Sequence, residues 1–235
     1  MIITALNQDS FYLEQLLVLL TSISVNSPTE RVSVFLVNFD VEMSQKLKEH
    51  FSDVVFEDRN INLGTNPAGK MVCYRGSVVK ECLERTKSPV AWFDTDIIVR
   101  GSLDIFWEKV KTNQLQVRYR GPDVALNIRF NAGVFAVGYS EQTLRFISEW
   151  DRIINKKSKW YEDQLQLYLI YKKFSDDIEL IKMPQSFNDI GYSKNDGVFR
   201  DDSLIWHCKK AHFYNKKFRK EYLMYLDMMK GEFDV

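Results

Sequence analysis

Turn-forming residues are scarce in this chain. Ten glycines and five prolines among 235 residues, with no low-complexity tract, exclude collagenous, linker-rich and disordered classes. Cysteine is nearly absent too. Cys73, Cys82 and Cys208 form no C-x-x-C pair, so no disulfide scaffold is expected, and the odd, scattered set fits reduced thiols in the cytoplasm. No lysine or arginine precedes Arg31, and the run Leu16, Leu17, Val18, Leu19, Leu20 is bounded by Glu14, Gln15 and Ser22, so neither a signal peptide nor a spanning helix is expected. Net charge is missing as well. The 32 basic residues balance 32 acidic ones, which argues against coating nucleic acid by bulk electrostatics and confines any charge-driven partner to a local patch.

What is present is a large core. Hydrophobic residues make up 45% of the chain and aromatics 14%, enough to leave rings over for flat ligands. The length favours one domain over several. Short β-rich runs alternate with helical periods through the first hundred residues: strands at 2–6, 32–37, 54–56 and 90–93, helices at 13–23, 43–51 and 71–86, and a loop over 59–70. Such alternation predicts an α/β fold with a mostly parallel sheet flanked by helices, whose ligands gather at the carboxyl ends of the strands. Later strands are expected at 115–119, 127–139, 178–181 and 204–207, with helices at 141–154 and 163–174. The whole chain, 1–235, then reads as a nucleotide-binding half (1–100), an acceptor-facing half (101–208) and a basic, aromatic tail (209–235).

The segment Val90-Ala91-Trp92-Phe93-Asp94-Thr95-Asp96 carries the most chemistry. A buried strand delivers two carboxylates, two residues apart, to one side of its end. Carboxylates so close repel unless a cation lies between them, and hard oxygen ligands suit Mg²⁺ or Mn²⁺ holding a diphosphate. A solvated turn whose aspartates cap the next segment is the plainer alternative.

Further motifs follow in order. Thr4-Ala5-Leu6-Asn7 precedes Phe11-Tyr12; Cys73-Tyr74-Arg75 lies on a helix; Gly101-Ser102-Leu103 follows the aspartates; then come Asn131-Ala132-Gly133-Val134-Phe135, Asp163-Gln164, Pro184 with Asn188, and Ile205-Trp206-His207. Together they resemble the GT-A glycosyltransferases, most closely family 8, the glycogenin and lipooligosaccharide galactosyltransferase type. The resemblance implies a metal-dependent hexosyltransferase using Mn²⁺ or Mg²⁺ and a nucleotide-sugar donor, a UDP-sugar, with a glycan or lipid-linked glycan as acceptor. It implies Asp94, Asp96 and His207 as metal ligands, and Asn7, Tyr12, Arg75, Asp94, Thr95, Asp96, Asn131 and Gly133 around the donor. Asp163, Gln164 and Arg75 would stand at the reacting centre; the family 8 match implies retention, while Glu162-Asp163 could instead supply a carboxylate base for an inverting transfer. The family's glycine, lysine and proline after the late histidine are absent; Cys208-Lys209-Lys210-Ala211-His212 stands there, which leaves His212 as an alternative ligand.

From Lys209 to Lys220 there are six basic residues and no acid, interleaved with Phe213, Tyr214 and Phe218. This reads as a solvated helix face or as a patch for an anionic acceptor or a peripheral membrane contact, and not for nucleic acid. Three other functions compete. A haloacid-dehalogenase-type phosphatase would continue its D-x-D with Gly-Thr near the chain start, where Ile97-Ile98 stands here at mid-chain. A nucleotidyltransferase would place glycine and basic residues in the first loop, where Asn7-Gln8-Asp9-Ser10 has none. A non-catalytic sugar-nucleotide binder on a decayed fold would have lost its acidic pair.

Overall fold

The computed structural model describes residues 1–191, 199–208 and 215–233. Its centre is a seven-stranded sheet in the order β3-β2-β1-β4-β7-β6-β8. The strands are β1 (Ile2–Asn7), β2 (Val32–Val37), β3 (Val54–Arg59), β4 (Val90–Phe93), β6 (Gln114–Tyr119), β7 (Phe130–Val137) and β8 (Glu179–Lys182). Every pairing is parallel except the two that β7 makes with β4 and β6, so β7 alone opposes the rest. The mostly parallel α/β sheet expected from the alternating pattern is what forms.

Helices α1 (Ser10–Asn26), α2 (Val41–His50) and the short α4 (Asp104–Glu108) cover one face, and α3 (Pro67–Thr86), α5 (Glu141–Ile154) and α6 (Glu162–Lys173) the other. Two cores result. One joins Leu16, Leu17 and Leu20 to Val34, Phe93 and Phe106; the other joins Val78, Val79 and Cys82 to Trp92, Phe135 and Trp150. Parallel strands buried on both faces read as continuous apolar runs, which is why 32–37 and 90–93 stand out in the sequence.

Several elements differ from expectation, among them β3, which runs on to Arg59. Helix α3 starts at Pro67 and not at residue 71, because Asn66 accepts from the Gly69 amide and Pro67 occupies the first helical position, where a missing N–H costs nothing. Residues Leu126–Ile128 form a 3-10 turn, so β7 begins at Phe130 and not at 127. Helix α7 (Lys216–Asp227) takes up most of the described tail, capped by Asn215. A small second sheet also forms. In it β5 (Ile97–Val99) pairs antiparallel with β9 (Ile205–His207), and Ile98, Phe199, Trp206, Phe218 and Tyr222 pack behind it. This satellite core holds His207 against the segment that follows β4.

Candidate functional site

Strand β4 ends at Phe93, and the chain leaves the sheet with the Asp94 amide donating to the Gly133 oxygen at 2.8 Å. Asp94, Asp96 and His207 converge there, each offering an atom within 4.8 Å of the others. His207 is fully buried and reaches the cluster because β9 pairs it with Ile97. Its Nδ1 lies 3.0 Å from Oδ1 of Asn188, so the ring donates there and turns the lone pair of Nε2 toward the carboxylates. Nε2 lies 3.1 Å from Asp96 Oδ1 and 3.7 Å from Asp94 Oδ2. Neither Nε2 nor Asp96 Oδ1 has a hydrogen-bond partner, although both are buried. A lone pair facing two carboxylates is repulsive without a cation. Two hard oxygens and one imidazole suit a divalent ion of the Mg²⁺ or Mn²⁺ class.

Gly133 makes room for this arrangement. A Cβ there would lie 2.1 Å from His207 Cε1 and 2.8 Å from Asp94 Oδ2, so its missing side chain is filled by the metal-binding groups themselves. Opposite Asp94, the β6–β7 register shifts between Val117 and Arg118, and the β7 chain bows over Ala132, Gly133 and Val134, which have no β6 partner. Neighbouring Asn131 is fully buried; its Oδ1 accepts from the Gly133 amide at 3.2 Å while its Nδ2 meets no acceptor.

Arg75 is the centre of a second network. It is 6% exposed and spans Asp94 and Asp163 at 3.1 Å each, while also donating to the Ala132 oxygen at 2.7 Å. Burial opposes its charge, but the two carboxylates outweigh burial and raise its pKa. Trp92 adds an indole N–H to Asp94 Oδ1 at 2.7 Å. Gln164 is held at both ends, donating to the Asn127 oxygen at 2.8 Å and accepting from the Ala132 amide at 3.4 Å. The sequence marks Arg75 for the donor sugar or the metal carboxylates; in the structure it reaches Asp94 and Asp163 and also lines the cavity described next.

A cavity of about 480 Å³ opens beside these groups, running from Asn7 and Tyr12 past Thr95 to Arg75, Asp94, Asp96 and His207. Burial raises the Tyr12 phenol pKa, with Asp9 and Asp96 adding to the effect, so the hydroxyl stays protonated. The Thr95 hydroxyl donates to Gln15 Oε1 at 3.1 Å. Asn131, Gly133, Asp163 and Gln164 stand behind this lining, and His212 lies outside the described residues. Sequence reasoning missed Trp160, which lines the cavity at 55% exposure just before the left-handed Tyr161. It also missed the Trp92 and Gln15 contacts. A large exposed ring beside two acidic residues is a weak signal without a partner to place it.

Three solved structures share this architecture. The galactosyltransferase LgtC, in complex with donor and acceptor sugar analogs, is 16% identical and superposes at a TM-score of 0.60 over 99% of each chain. The glycosyltransferase GlyE of Streptococcus pneumoniae is 16% identical at a TM-score of 0.66; 97% of this chain matches 62% of that one. Mouse xyloside xylosyltransferase 1 is 10% identical at 0.57, over 89% of this chain and 97% of its own. The chain has the GT-A glycosyltransferase fold. No protein-family model matches the sequence, and no curated protein matches it significantly.

Proposed function

We propose that this GT-A chain is a metal-dependent hexosyltransferase that moves a sugar from a nucleotide-diphosphate sugar, a UDP-sugar, to a hydroxyl of a glycan or lipid-linked glycan. One observation carries the reading: buried, unpartnered Nε2 of His207 and Oδ1 of Asp96 face each other beside Asp94 at the carboxyl end of β4. Strand ends are where sheets of this type bind ligands.

In this reading residues 1–100 take the nucleotide, with Asn7 and Tyr12 at the base and ribose end of the cavity, and residues 101–208 face the acceptor. Asp94, Asp96 and His207 hold Mn²⁺ or Mg²⁺, which when bound neutralises the diphosphate as it leaves. Asn131 offers its free Nδ2 to a sugar hydroxyl, since a buried amide N–H without an acceptor is costly unless a ligand supplies one. Arg75 keeps Asp94 and Asp163 at fixed separation, which makes it a positioning residue. Because Asp163 is tied to Arg75, it is a poor general base, and this favours retention over inversion. In a front-face transfer the bond from the anomeric carbon to the phosphate oxygen breaks. The acceptor oxygen then bonds to that carbon from the same side, and the acceptor proton passes to the departing phosphate. Gln164 holds the β7 bow in place beside this step.

We also propose a cytoplasmic protein with a peripheral membrane contact through α7. No helix of the described residues is long and apolar enough to cross a membrane. Lys216, Lys220, Leu223 and Met224 share one exposed helix face, the mixture that interfacial helices present to anionic lipid. Phe218 does not join them, being buried at 1% exposure, and Lys217 is engaged by Asp201 and the Phe199 oxygen. The experiment that tests the activity is a panel of nucleotide sugars incubated with Mn²⁺ and no acceptor, scored for slow release of nucleoside diphosphate. Release from one donor, abolished by chelator, supports the reading; no release from any donor rejects it.

A further inference from the structure

Two arginines flank the site, and their surroundings differ. Arg75 meets two carboxylates. Arg118, half-buried on β6, makes one hydrogen bond, from Nη1 to the main-chain oxygen of Asn188 at 2.6 Å, and no ion pair with any described residue. The acid that acts on it is Asp189, whose carboxylate already accepts from the Gly191 and Arg200 amides and from the Ser203 hydroxyl. Burial, then repulsion from Arg120, depresses the Arg118 pKa. An arginine partly removed from water beside a like charge is a site that lacks an anion.

Its position says which anion. Arg118 pairs across the sheet with Asn131, so the two side chains leave on the same face. Asn188, whose oxygen Arg118 holds, is the residue that orients His207. The Nδ2 groups of Asn131 and Asn188 are both buried without an acceptor. Arg118 and the Asn188 amide therefore bring unmet N–H groups together beside His207, and Arg118 stands outside the lining of the cavity that Asn7 and Tyr12 share.

We propose that Arg118 is an anion subsite for the acceptor, so that the glycan receiving the sugar carries a phosphate or a carboxylate near the reacting hydroxyl. The inference rests on the glycosyltransferase reading above, and it adds the acceptor's charge. A guanidinium with free N–H groups matches either oxyanion in a two-point contact.

The test loads the full chain with Mn²⁺ and UDP and measures, by calorimetry, binding of matched hexoses: the parent sugar, its 1-phosphate, its 6-phosphate and its uronate. At least one anionic form is expected to bind about tenfold or more tightly than the parent, as charge-assisted hydrogen bonds typically provide. The phosphate and uronate arms tell which oxyanion is taken. Arg118→Gln is expected to abolish that preference, measured at saturating Mn²⁺ and UDP because Arg118 also holds the Asn188 main chain beside His207. Equal affinity for all four sugars in the wild-type protein overturns the proposal and needs no variant to fold. So does a preference that survives in Arg118→Gln. Failure of the wild-type protein to bind Mn²⁺–UDP at all rejects the glycosyltransferase reading itself, an outcome distinct from the others.

Discussion

Nε2 of His207 and Oδ1 of Asp96 lie 3.1 Å apart, both buried, with no hydrogen bond between them. Two electron-rich atoms at that distance are held there by the rest of the fold: Asn188 fixes the ring from its far side, and β5 and β9 fix both backbones. A divalent cation relieves the repulsion. His207→Ala is therefore expected to weaken Mn²⁺ binding by at least about tenfold, as loss of a metal ligand or its support does. Unchanged Mn²⁺ affinity by calorimetry or electron paramagnetic resonance would remove His207 from the ligand set.

Gly133 gives an independent handle on the same geometry. Any Cβ at this position collides with the His207 ring at 2.1 Å, so Gly133→Ala is expected to displace the imidazole although it adds one methyl group. The expected result is a folded protein with Mn²⁺ affinity about tenfold lower. A variant with full affinity would show that the ring has room to move without leaving the ion.

Arg75 tests the difference between contact and support. Its removal takes away the cation that lies between Asp94 and Asp163, the latter 3% exposed. Arg75→Met is expected to cost about 3–5 kcal/mol in urea unfolding, typical of breaking a buried pair by deleting one partner. Arg75→Met combined with Asp163→Asn is expected to recover part of that loss. No coupling in this double-mutant cycle would contradict the locking role.

Acid stability is predicted at the far edge of the sheet. Burial opposes ionisation of Glu57, but Arg85 and Arg59, each at 2.7 Å, outweigh it and lower its pKa below the ordinary 4.5. A lowered carboxylate contributes stability above its unfolded pKa and loses it as pH falls through the folded one. Glu57→Gln is accordingly expected to destabilise the protein at pH 7 by about 1 kcal/mol or less, as solvent-screened pairs do. The difference should begin to shrink near pH 4.5, where the unfolded carboxylate takes up its proton, and close as pH falls through the lower pKa of the folded protein. A deficit that persists at low pH would assign the effect to packing.

The parts of the fold readable from sequence are those set by local period. Val90 to Phe93 is apolar throughout because β4 is buried on both faces, and Asp94 and Asp96 appear where that run stops. Asn66-Pro67 was a readable helix start, hidden within a loop-like composition. Pairings between distant segments were not readable. β5 meets β9 across about a hundred residues, and three-residue strands carry too little pattern to announce a partner. The same holds for Arg118, which is one basic residue among 32 until β7 and Asn188 are set around it. The β7 bow at Ala132 and Gly133 depends on β4 and β6 together, so no periodicity within residues 130–137 predicts it.

The most direct test of the glycosyltransferase reading is calorimetric titration of the wild-type protein with UDP, with and without Mn²⁺, beside Asp94→Ala and Asp96→Ala. The expected result is tight nucleotide binding only with the ion, lost by about 10²-fold in each variant, with the melting temperature little changed in Asp96→Ala and lowered in Asp94→Ala, which also removes an ion-pair partner of buried Arg75. UDP affinity that is the same with and without Mn²⁺, or that survives in both variants, would contradict it.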